Sequence, residues 1–73
     1  MNDRTESAVA AMPVPALLDG VRAMNYLGLS RSGWFRAKSA VGFPRPVRVE
    51  GSGLRWRRSD LDEWVSRMRP ART

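Results

Sequence analysis

Between Leu17 and Leu27 the large apolar side chains fall at Leu18, Val21, Met24 and Leu27, three residues apart, a spacing that stacks them along one side of a helix. Asp19, directly after Leu18, is of a type that caps the free amides of a first turn, so the pattern predicts a helix over about 20–27. Gly28 supplies the backbone freedom of a tight turn, Leu29 can point back into the core, and Ser30 can cap a second helix over about 31–39. The apolar side of that helix reads Trp34, Ala37 and Val41, which leaves Arg31, Ser32, Phe35, Arg36 and Lys38 on its other faces. Gly33 weakens it by up to about 1 kcal/mol relative to alanine, less in the first turn, where this spacing puts it.

Past Gly42 and Pro44 the period changes to two. Pro46–Glu50 and Leu54–Arg57 alternate on either side of Gly51-Ser52-Gly53, predicting a hairpin whose inner face is Val47, Val49, Leu54 and Trp56 and whose outer face carries Arg48, Arg55 and Arg57. Ser59 with Asp62 resembles a capping box, and Leu61, Trp64, Val65 and Met68 follow at i, i+3, i+4 and i+7, predicting a helix over about 60–69 that Pro70 stops. Residues 1–16 show no period and close with Met12-Pro13-Val14-Pro15, so they are expected to be a disordered leader to a domain over 17–69, with 70–73 a frayed tail. The expected fold is α+β and mostly α: two helices joined by a turn, a basic two-stranded wing and a packing helix, the layout of a winged helix-turn-helix with Trp34, Trp56 and Trp64 in its core.

The length of 73 residues allows one small domain, too small for a deep enzyme pocket. The absence of cysteine and histidine removes disulfides, thiolate metal sites and the usual proton shuttle. Charge changes the picture more. The net +6 is concentrated in residues 21–58, where Arg22, Arg31, Arg36, Lys38, Arg45, Arg48, Arg55, Arg57 and Arg58 face Glu50 alone, whereas residues 1–20 are net acidic and 59–73 neutral. Trp34, Phe35, Phe43, Leu54 and Trp56 interleave with these bases, so the basic segment reads as folded surface rather than tail. No apolar stretch approaches the roughly 20 residues that span a bilayer, and the acidic start lacks a signal-peptide pattern, so a cytoplasmic protein without membrane contact is expected.

A basic helix with a basic wing is suited to duplex DNA. A helix fits the major groove, arginine reaches guanine O6 and N7 bidentately, and flanking bases hold phosphates. The candidate reading residues are Ser30, Arg31, Ser32, Phe35, Arg36 and Lys38, and the candidate wing residues are Arg45, Arg48, Ser52, Arg55 and Arg57. Each has a plainer reading. Ser30 can be a helix cap, Phe35 either a plug between helices or a contact to a thymine methyl or sugar, and the wing arginines can be edge charges that prevent aggregation. An enzyme is not expected, because Asp60, Asp62 and Glu63 suffice as helix-start acids and no metal or phosphate-loop spacing occurs. A protein-interaction module with its basic face on an acidic partner would share the charge but give no DNA mobility shift.

The ordered set "LGLSRS" at 27–32, "GFPRPV" at 42–47 and "RWRRSDLDEW" at 55–64 resembles the AlpA-like regulators of prophages, small winged-helix proteins related to phage excisionases and to the DNA-binding domain of MerR regulators. The resemblance covers about 17–68. It implies recognition-helix positions at Ser30, Arg31, Ser32, Phe35 and Arg36 and a wing from Arg48 to Arg57. Gly33 stands where such proteins usually carry Ser or Thr, and Trp34 where a smaller aliphatic is usual. The function implied is sequence-specific binding near an attachment site or promoter, as a recombination directionality factor for a tyrosine integrase, as a transcriptional regulator, or both. Neither an effector domain nor a long dimerisation helix is expected beyond the last predicted helix, so self-association is expected side by side on DNA, with no cofactor and no small-molecule ligand.

Overall fold

The computed structural model describes residues 14–71. Strand β1 (Leu17–Leu18) is followed by helices α1 (Gly20–Leu27) and α2 (Arg31–Ser39), strands β2 (Val47–Val49) and β3 (Gly53–Arg57), and helix α3 (Arg58–Ser66). The strands form one antiparallel sheet of order β1-β3-β2. This is the expected α+β, mostly helical arrangement, with a third strand that the alternation pattern did not reveal. The leader expected over 1–16 falls mostly outside the described residues.

Both helices of the helix-turn-helix begin where their capping residues dictate, and α1 also ends at one. The Asp19 carboxylate accepts from the Arg22 N–H at 2.8 Å, and Gly28 closes α1 in the left-handed region at φ 72°, its N–H donating to the carbonyls of α1's last turn. Ser30 caps α2 by accepting from the Gly33 N–H at 3.2 Å. Gly28, Leu29 and Ser30 alone separate the helices, the short turn the motif requires.

The core consists of Leu18, Ala23, Trp34, Trp56 and Leu61, with Met24, Leu27, Leu29 and Phe43 packed against it. Its spine is aromatic. Trp34 meets Trp56 edge-on at 5.2 Å between ring centroids and Phe43 at 5.7 Å, and Phe43 in turn meets Trp64 at 4.8 Å, tying sheet, α2, linker and α3 together. Several expected apolar-face positions differ, Leu54, Val65 and Met68 among them, which are about half exposed. Val21 is 65% exposed because α1 turns Ala23 inward instead, a side chain small enough for close approach. Val41 is fully exposed because α2 ends at Ser39, before the next turn could carry Val41 inward. Trp64 is only part-buried, whereas Trp34 and Trp56 are buried as expected.

Helix α3 starts two residues earlier than the capping-box pattern indicates and ends at Ser66 rather than near 69. Ser59 lies inside it, and no side chain caps it. The Arg58 N–H instead donates to the Ala16 carbonyl at 2.8 Å, so chain leading into β1 satisfies a helix-start donor. The Arg58 guanidinium extends the clamp by donating to the Val14 carbonyl at 2.6 Å.

The hairpin corrects the expected faces. Val47 lies opposite Arg55, Arg48 opposite Leu54, and Val49 opposite Gly53. Directly opposed residues share a face, so Arg48, Leu54 and Trp56 are on the side of the helices, joined by Leu18 through its pairing with Trp56. Val47, Val49, Arg55 and Arg57 are on the other side, and the three arginines do not share an outer face. The expected arrangement needed Val49 opposite Leu54. The three-residue loop Glu50-Gly51-Ser52 shifts the register by one, with the Ser52 N–H donating to the Val49 carbonyl at 2.9 Å and both Gly51 and Gly53 at positive φ.

Candidate nucleic-acid interface

Helix α2 divides cleanly into a packed and a free side. Trp34 and Ala37 are buried, and at roughly 100° per residue the opposite arc holds Arg31, Ser32, Phe35, Arg36 and Ser39, all exposed. The helix is thus gripped through Trp34 and presents a face of two arginines, two hydroxyls and one phenyl ring. Lys38 flanks this arc. Its ammonium lies 4.7 Å from the Phe35 ring centroid and 5.3 Å from that of Trp34, holding the exposed ring from one side.

Ser30 is occupied as a cap, with its hydroxyl also 3.4 Å from that of Ser32. Phe35 is 56% exposed, so it is not a plug between helices. The Ser39 hydroxyl is committed to the Phe35 carbonyl at 3.1 Å.

Beyond α2 the candidate bases separate into groups. Lys38 and Arg45 border one concavity, lined also by the 40–44 linker, Pro46 and Trp56. Arg45 and Arg57 border a second, between the hairpin and α3, together with Asp60, Glu63 and Arg67. That groove is electrostatically mixed, and Arg67 bonds Glu63 across one helical turn at 3.2 Å. Arg48 is exposed on the helix side of the sheet, and Ser52 is exposed at the hairpin tip. Arg55 is part-buried, its guanidinium donating to the Leu54 carbonyl at 2.8 Å.

Among the described residues the Arg67–Glu63 contact is the one ion pair, so Arg31, Arg36, Lys38, Arg45 and Arg48 have no carboxylate partner there. Unpaired guanidinium groups around an exposed helix face are free for phosphates and base edges. Sequence reasoning missed Val21, which lies exposed beside Phe35; its place in a three-residue apolar period made it look like core. Among the described residues no group of acids could hold a metal ion, and no helix is long and apolar enough to cross a membrane.

No curated protein and no solved structure matches the chain. A family model does, over residues 20–69, from the first turn of α1 to beyond the end of α3; it describes the Prophage CP4-57 regulatory protein (AlpA), and with that match across more than half its length the chain belongs to the AlpA family of prophage-associated DNA-binding regulators.

Proposed function

We propose that the protein binds duplex DNA with α2 in the major groove and the β2–β3 tip against the neighbouring backbone. Copies of it assemble side by side at the attachment site of a mobile element and direct a tyrosine integrase toward excision. The observation that supports this mode of binding is the division of α2: Trp34 and Ala37 fix one side to the core, and Arg31, Ser32, Phe35 and Arg36 stand free on the other. In this reading Arg31 and Arg36 reach base edges or phosphates, Ser32 contributes a hydroxyl, and Lys38, Arg45, Arg48 and Ser52 hold backbone on either side. Arg55 and Arg57 contribute long-range charge. The excision role draws its support from the resemblance of the ordered motifs at 27–32, 42–47 and 55–64 to AlpA-like regulators, which are related to phage excisionases. Promoter control is the second reading, favoured by the regulatory description of the family.

The test is a nuclease footprint of the purified protein across its element's attachment region and neighbouring promoters at two salt concentrations, followed by an excision assay with the element's integrase. Regularly spaced protection inside the attachment site and integrase-dependent excision are expected. Protection confined to a promoter transfers the function to transcription. No protection at low salt overturns DNA binding by this face. If about six phosphates are neutralised, log K falls against log salt with a slope of roughly −5.

A further inference from the structure

Resting on the DNA-binding reading above, we propose that the notch between α1 and α2 walled by Val21, Met24 and Phe35 reads thymine by closing on its 5-methyl group. The notch opens beside the free face of α2. Gly20, Val21 and Met24 line it from α1, and Arg31, Trp34 and Phe35 from α2. Val21 and Phe35, at 65% and 56% exposure, are apolar surface placed within the most basic part of the molecule. Lys38 against the Phe35 ring restricts where that ring can swing.

Charge identifies the occupant. Arg31 is on the rim, Arg36 follows one turn along the free face, and neither has a carboxylate partner among the described residues, so a polyanion matches the surroundings of the notch. Of the base edges in the major groove, thymine alone presents a methyl group, and aliphatic and aromatic carbon is the surface that complements it. Arg31 and Phe35 are four residues apart, about 6 Å along the helix axis. A guanine read by Arg31 therefore places the thymine within about two base pairs of it.

The experiment selects binding sites from a random-sequence duplex pool. It then measures affinity for the selected duplex with each thymine replaced in turn by deoxyuridine, which removes only the methyl. Wild type is expected to lose about fourfold at one thymine per bound copy, the worth of one buried methyl-sized group, and to be indifferent at the others. Phe35→Ala is expected to bind more weakly overall and to treat thymine and uracil at that position alike. Should Phe35→Ala bind too weakly to measure, Val21→Ser gives the same comparison from the other wall, and a circular-dichroism melt verifies that both variants are folded. Selected sites without a fixed thymine, indifference of wild type to every replacement, or an undiminished methyl preference in both variants would each overturn the proposal while leaving DNA binding intact. Failure of the pool to yield any bound duplex removes the DNA-binding reading itself.

Discussion

Removing the ring of Trp34 should cost more than removing that of Trp64, although both tryptophans fall on the apolar side of their helices. Trp34 is 5% exposed and meets two aromatic partners edge-on, Trp56 and Phe43; Trp64 is part-buried and meets Phe43. Truncating a buried tryptophan to alanine costs about 3–5 kcal/mol, and each edge-on pair contributes about 0.5–1.5 kcal/mol of that order. At about 0.05–0.15 kcal/mol per residue, a domain of this length has roughly 3–9 kcal/mol in total. Trp34→Ala therefore removes about a third of the stability or more, a fall in Tm of at least about 12 °C, or leaves no cooperative transition at 25 °C. Trp64→Ala, with part of its ring already in water, should cost about half as much. Thermal and urea unfolding followed by circular dichroism measure both on one scale, and Trp34→Phe supplies a graded variant if alanine leaves no fold. A Trp64→Ala loss equal to or larger than that of Trp34→Ala refutes the account of the aromatic spine.

Arg36→Ala should weaken binding to a specific site by roughly 1–3 kcal/mol if the guanidinium reads a base, and uniformly across sequences by less if it holds a phosphate; titration of specific and random duplexes separates the two. The hairpin register makes Arg48→Ala more costly to DNA binding than Arg57→Ala: without the Arg48 guanidinium one fewer phosphate is neutralised and the salt slope shrinks by about 1, while Arg57, beside Asp60 and Glu63, should leave it nearly unchanged. Tyr26 donates to the Asp62 carboxylate at 2.5 Å, and that hydrogen bond, which the phenolate cannot make, raises the phenol pKa above 10.0. The folded-state pKa thus exceeds the unfolded one, so this contribution is fully present below pH 10 and is lost as pH rises through the raised value; melts from pH 8 to 12 should show an alkaline decline that Tyr26→Phe flattens.

The helix-turn-helix was legible because its determinants are local. Asp19, Gly28 and Ser30 act on amides and carbonyls within a few residues, and each occupies the cap its side chain or lack of one predicts. What was hidden depends on distant chain. Strand β1 is two residues long and has no alternation to detect, yet its neighbour Ala16 supplies the acceptor that starts α3, and no pattern around Ser59 could disclose a carbonyl more than forty residues away. Period-three spacing likewise cannot choose between Val21 and Ala23 as the inward position of α1. In the structure Ala23 is the one buried and Val21 the one exposed.

The hairpin shows how this distinction reaches the site. Alternation placed Arg55 and Arg57 on the face away from Trp56, where they are found, but misplaced Arg48, because period two fixes which residues share a face within a strand but not which face meets the partner strand's. The loop Glu50-Gly51-Ser52 settles that offset, and positive φ at Gly51 and at Gly53, which opens β3, permits it. The consequence is functional. A one-residue slip brings Arg48 to the side of the sheet that carries the helices, while Arg57 keeps the expected face opposite Trp56, where it borders Asp60 and Glu63. On the proposed mode of binding, the wing's arginines do not act as one face, which leaves Arg31, Arg36, Lys38 and Arg45, without carboxylate partners among the described residues, as the main free cations around α2.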